Sequence, residues 1–185
     1  LAGIASAALS APLPSWTDGD AKSAIITFVE SVTDPASPDY VAPGARIATF
    51  DNDGTLWAEQ PVYFQLIYAV ERLQEKAESD PSILTSDTLR AAAEGDYATA
   101  LAGGEEGLLE ILAVSHSGIS VEDFQTDVRA WLETARHPTT GMRYDAMLYQ
   151  PMLELLRYLR DEDFQTWIVS GGGIHFIRAF AGDAY

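Results

Sequence analysis

The 185-residue chain is 47% hydrophobic and 21% charged, enough apolar side chain to bury a core and too much for a disordered chain. Its formal net charge of −17 opposes association with nucleic acid phosphates or anionic lipid. The absence of cysteine rules out disulfides and thiolate metal sites, and no stretch is apolar for the length a membrane span needs.

Residues 1–11 are small and apolar and resemble the tail of a secretory signal with an Ala-x-Ala-type cleavage site before Pro12. A periplasmic or secreted location follows from that reading, and a cytoplasmic one otherwise. Asp18 or Asp20 can cap a helix to about Val32, with Ala24, Ile25, Phe28 and Val32 at helical spacing. Three prolines and a glycine between residues 34 and 44 mark an extended connector. A strand from Arg46 to Phe50 then runs into Asp51-Asn52-Asp53-Gly54-Thr55. Pro61 opens an amphipathic helix to about Ser79, with Phe64, Ile67, Tyr68, Val70 and Leu73 on its apolar side.

From Asp80 to Tyr144 the pattern is helical with breaks: Ser86 to Ala93, Tyr97 to Leu101, Glu105 to Val114, and a helix after Ser120. Ser120 suits an N-cap because Asp123 follows three residues later, and Phe124, Val128, Trp131 and Leu132 fall on one face. Pro151 starts a helix from Met152 to Arg160, with Leu153, Leu156 and Leu159 inward. A strand from Thr166 to Val169 ends at Ser170-Gly171-Gly172-Gly173, and Ile174 to Phe180 read as a helix. Strand, helical crossover and strand predict an α/β fold with a parallel sheet and a ligand at the carboxyl ends of its strands.

Chemistry concentrates at those two ends. Side chains at i and i+2 of an extended strand point the same way, so Asp51 and Asp53 can share one site. Asp51 can act as a nucleophile on phosphorus and Asp53 as general acid and base. Two carboxylates in one site imply a divalent cation. A calcium loop fails, because the positions where an EF-hand needs Gly and Glu hold Leu56 and Val62. An Asx-rich turn after a buried strand is the plain alternative. Against it stands Ser170, followed by three glycines and a helical pattern, a turn in which backbone N–H groups can face an anion.

The run Ile47-Ala48-Thr49-Phe50-Asp51-Asn52-Asp53-Gly54-Thr55 resembles the first signature of the haloacid dehalogenase (HAD) superfamily of hydrolases, and Thr166 to Gly173 resemble the second. The resemblance implies a HAD-like Rossmannoid parallel sheet built from residues 12–60 and 145–185, with a helical cap, 61–144, inserted between the first two catalytic strands. That cap resembles those of the phosphoserine phosphatase-like branch. It also implies an Mg²⁺-dependent phosphatase that forms an aspartyl phosphate on Asp51 from a small phosphorylated molecule. Asp53 would serve as acid and base, and Mg²⁺ would sit on the Asp51 carboxylate and the Asp53 carbonyl. Asn52, Gly54, Ser170 and Gly171 would hold phosphoryl oxygens.

Two family signatures lack candidates: a lysine that neutralises nucleophile and phosphate, and an acidic pair on a later strand. Lys22 and Lys76 both precede Ser170, and Arg178 and Asp183 read as surface residues. The chain is therefore expected to be the N-terminal part of a longer phosphatase or a truncated product, with the C-terminal part of the sheet missing and weak or no activity. Phosphate or partner binding without turnover is the alternative function, and transfer to an alcohol acceptor a third. Glu59 could meet a substrate amine or be a solvated loop residue. His116, His137 and His175 lack zinc-site spacing. Trp57 could wall a pocket or pack, whereas Trp131 and Trp167 read as core.

Overall fold

A computed structural model describes residues 12–185; the signal-remnant reading of residues 1–11 lies outside the described residues. In chain order the elements are α1 (Asp20–Thr33), β1 (Ile47–Phe50), α2 (Phe64–Ser79), α3 (Asp87–Ala93), α4 (Tyr97–Ala102), α5 (Gly104–His116), α6 (Val121–Thr134), α7 (Gln150–Asp161), β2 (Gln165–Ile168), α8 (Ile174–Arg178) and α9 (Ala181–Ala184). The fold is mixed α/β, rich in helix, with a small parallel sheet in which Ile47 pairs Gln165 and Phe50 pairs Ile168. No helix among the described residues is long and apolar enough to cross a membrane. The described residues fall into two compact units, one of 12–58, 148–170 and Tyr185, the other of 59–147 and 171–184.

The first unit carries the sheet. One face of the two strands, with Ala48 and Phe50, packs on a core of Leu13, Val29, Val32, Leu155, Leu159 and Phe164 from α1, α7 and the flanking loops. Helix α1 presents Ile25, Val29 and Val32 to that core, so its apolar stripe lies one residue round from the expected one, and Phe28 is 58% exposed. The alternation of side chains along a strand turns the next residues the other way. Ile47, Trp167 and Val169 are accordingly 60%, 57% and 64% exposed. Trp167, expected in the core, is a correction: it stands across from Thr49 on the outward face.

Two polar clamps tie this unit together. Buried Arg46, just before β1, donates from Nε to the Val41 carbonyl at 2.8 Å and from Nη1 to the Glu162 carbonyl at 2.9 Å. Glu154 of α7 accepts from the Ser15 amide at 2.8 Å and from the Ser15 hydroxyl at 2.5 Å, and the Trp16 indole donates to the Pro151 carbonyl at 2.8 Å. Between α7 and β2, Asp163 takes a left-handed φ of 62°, a conformation that aspartate tolerates better than most side chains.

The second unit is helical. Helix α2 starts at Phe64 rather than Pro61 because Tyr63 is still extended, at ψ 132°. It buries Leu66, Ala69, Val70 and Leu73 with Leu89, Ala92, Ala100 and Ile111 of α3, α4 and α5. Its other side meets an aromatic cluster in which Trp131 stacks on Tyr144 at 4.9 Å and Tyr68 lies edge-on to Phe124 and Trp131. Buried aromatic donors need partners, and here they are carboxylates: the Tyr68 hydroxyl donates to Asp127 at 2.8 Å and the Trp131 indole to Glu71 at 2.6 Å. Side-chain oxygens of Ser86, Asp96 and Ser120 cap α3, α4 and α6, each satisfying an otherwise orphan amide.

Arg46→Met should lower unfolding stability by about 2–4 kcal/mol in urea titration, since two partly buried carbonyls lose charged donors. The hydrogen bonds from Ser15 hold the Glu154 carboxyl below its usual range. A lowered folded value stabilises the fold above the unfolded value and is lost as pH falls through the folded one. Glu154→Gln should therefore lose less stability than the parent on acidification below about pH 4.5, measured by thermal melts across that range.

Candidate active site

Strand β1 ends at Phe50, and the ladder extends one bond further, with the Val169 amide donating to the Phe50 carbonyl at 2.8 Å. Asp51 and Ser170 thus leave the carboxyl ends of neighbouring parallel strands, which lie about 4.8 Å apart. The strand stops before Asp51, so the turn, and not the pleat, sets the directions of the two carboxylates. Asp51 is exposed and Asp53 half-buried.

Asn52 is the hub of the turn. Its carbonyl accepts from the Thr55, Leu56 and Trp57 amides at 3.2, 2.8 and 3.3 Å, and the Gly54 amide closes back onto the Trp57 carbonyl at 3.0 Å. Gly54 sits at φ 70°, where a residue without Cβ is favoured. The Asn52 amide donates to Asp51 Oδ1 at 2.7 Å. Its side chain is buried, with Oδ1 accepting from the Tyr185 hydroxyl at 2.7 Å and Nδ2 without a hydrogen-bond partner. Burial, then the Asp53 charge, pushes the Tyr185 hydroxyl well above the usual phenol range, which keeps it a donor. Fully buried Trp57 donates its indole N–H to Asp53 Oδ1 at 2.8 Å.

The first unit therefore brings together Asp51, Asn52, Asp53, Gly54 and Ser170, while Gly171 belongs to the second. Several amides expected to face an anion have other partners: those of Asn52 and Gly54 bond within the turn, and that of Gly173 donates to Gln65 Oε1 at 2.7 Å. Trp57 and Tyr185 bond the acidic loop, and the order of residues under-reads the first and misses the second. An indole four residues beyond Asp53 left a faint signal. Tyr185, 133 positions from Asn52, left none.

The histidines divide. His137 accepts the Thr139 and Thr140 amides on Nδ1, at 3.2 and 3.1 Å, which leaves Nε2 to donate to the Gln60 carbonyl at 2.6 Å; it is a loop-fixing residue. Among the described residues His116 and His175 each keep a buried, unpartnered ring nitrogen. Arg178 and Asp183 are exposed, as expected.

The haloacid dehalogenase-like hydrolase family matches residues 48–185. The chain belongs to that family. No curated protein matches it. In this haloacid dehalogenase-like hydrolase the run Asp51 to Thr55 follows β1 and the run Ser170 to Gly173 follows β2.

A magnesium ion asks for oxygen ligands and commonly takes only one or two carboxylates, filling its octahedron with waters and substrate oxygens. Asp51 satisfies that demand: among the described residues its Oδ1 accepts from the next amide, and the residue is open to solvent. Among the described residues no three histidine or acidic side chains form a closed metal cage, which such an ion does not require. Asp51 and the Asp53 carbonyl are the groups of this hydrolase that would hold it.

Tyr185→Phe should cost about 1–3 kcal/mol of stability, because a buried acceptor on Asn52 loses its donor. Urea titration checks this, and an unchanged midpoint would show that Asn52 Oδ1 is otherwise satisfied.

Proposed function

We propose that this hydrolase cleaves small phosphomonoesters through an aspartyl phosphate on Asp51. The observation that carries the proposal is an open aspartate on the acidic loop after β1, beside Ser170 on the loop after β2, in a chain of this family. Asp51 attacks phosphorus, and the P–O bond to the leaving alcohol breaks as Asp53 donates it a proton. Asp53 then takes a proton from water, whose oxygen attacks phosphorus, breaks the bond to Asp51 and releases inorganic phosphate. The Trp57 indole on Asp53 Oδ1 helps fix the orientation of that carboxylate. The Ser170 hydroxyl and the Gly171 amide donate to equatorial phosphoryl oxygens. Bound magnesium supplies Lewis-acid polarisation of a phosphoryl oxygen.

The branch assignment is phosphoserine phosphatase-like, with the helices between residues 61 and 144 as the cap. The helical character of α2 to α6 supports it.

A second reading, phosphate binding without turnover, is favoured by the lysines. Lys22 pairs with Asp18 at 2.9 Å, and Lys76 Nζ donates to the Val114 and Ser117 carbonyls at 2.9 and 2.8 Å. Both are committed to helix-terminal contacts.

Release of phosphate from an aryl phosphate in Mg²⁺ separates the two. Asp51→Asn should reduce it by at least about 10³-fold. Asp53→Asn should slow an alkyl phosphate by about 10²–10⁴-fold and an aryl phosphate less, because a phenolate leaves without protonation. Equal background rates in parent and Asp51→Asn, with phosphate still bound, would establish the second reading.

A further inference from the structure

The second unit contains a cavity of about 270 Å³ bounded by residues of α2, α5, α6 and α8 and the loop before α6. Its walls are mostly apolar, with Ile119, Phe124, Ile174 and Phe176 among them, and no carboxylate, lysine or arginine lines it. A cavity of about 150 Å³ accepts a benzene ring, so this one has room for a substituted ring.

Three polar side chains line the same space: Gln65, His116 and His175. Gln65 Oε1 accepts from the Gly173 amide at 2.7 Å, which fixes the amide with Nε2 as a donor. The approach depends on glycine, because a Cβ at position 173 would lie 2.4 Å from Gln65 Nε2. His116 Nδ1 is 2.7 Å from the Ser115 hydroxyl oxygen. That hydroxyl has one proton and can place it on the Leu112 carbonyl at 3.2 Å. In that arrangement Nδ1 donates to Ser115 and Nε2 carries the lone pair, which is the tautomer the proposed site uses. Among the described residues Nε2 is buried with no partner, as is His175 Nδ1. Burial, then the Lys76 charge, lowers the His116 imidazole to about 4, so it is neutral at pH 7.

We infer that this cavity is a binding site for a small neutral molecule with an apolar body and a hydroxyl group, such as a phenol. The hydroxyl donates to His116 Nε2 and accepts from Gln65 Nε2, one group answering an orphan acceptor and an oriented donor. Among the described residues no charged side chain lines the space, so a charged ligand would find no counter-ion there. The site uses neither Asp51 nor Asp53, and it stands or falls separately from phosphate chemistry.

Titration of the full chain with phenol at pH 7, followed by the ¹⁵N-imidazole resonances of His116 and His175, tests it. Saturable shifts at both rings are expected, with benzene binding at least about tenfold more weakly for want of the two hydrogen bonds. His116→Phe and Gln65→Leu, each checked for folding by circular dichroism, should weaken phenol at least about tenfold as read at His175. If His116→Phe does not fold, Gln65→Leu decides. No saturable shift, equal affinity for phenol and benzene, or parental affinity in the folded variants would overturn the inference.

Discussion

The parallel pairing of β1 with β2 is the constraint on which the candidate site depends. Two strands of four residues are too short to hold themselves together in water. Their register is set instead by what lies under one face, where Ala48 and Phe50 rest on leucines of α7 and valines of α1. A slip of one residue would turn those side chains out and bring Ile47 and Thr49 in. With the register held, the chain leaves both strands at the same end, and the Asp51 and Ser170 loops begin side by side. Arg46 secures the opposite end, where its guanidinium joins the nearby Val41 carbonyl to that of Glu162, 116 residues further along the chain than Arg46.

The acidic loop is organised from its least conspicuous member. Asn52 stands between two carboxylates, yet it is the residue that is buried, and its carbonyl gathers three amides. The loop is thereby stiffened without using the Asp51 side chain for anything but a bond to its own neighbour. A carboxylate kept open on a rigid turn is what in-line attack needs, since a nucleophile free to wander loses much of the advantage of proximity. Lys22 and Lys76 are held in contacts of their own.

Much of this was legible in the order of residues. The helices from α2 to α6 follow apolar spacing and cap chemistry, and Phe124, Val128, Trp131 and Leu132 are buried as the spacing requires. The two strands read correctly to within a residue, because short apolar runs bounded by Pro, Gly and Asp have few other ways to fold. Periodicity failed where two adjacent apolar residues compete for one face. Phe28 and Val29 both fit a helical stripe, and the space under the sheet took the smaller one. Trp167 failed for a related reason: alternation tells which residues share a face, not which face is covered. The family membership was legible from two short runs, whereas the partners of Asp53 and Asn52 were not. Trp57 reaches Asp53 within the local turn, where four residues of spacing gave only a faint hint, and Tyr185 reaches Asn52 by tertiary folding, to which no spacing rule points.

The four tryptophans occupy environments different enough to be told apart by light. Trp167 is largely in water, Trp16 and Trp131 bond a carbonyl and a carboxylate, and Trp57 is sealed from solvent with its indole proton on Asp53. An indole bonded to a carboxylate has its emission tuned by that charge. Trp57 thus makes the chain its own fluorescent indicator: protonation of Asp53, or a ligand drawing on it, registers as a change of colour before any bond is broken.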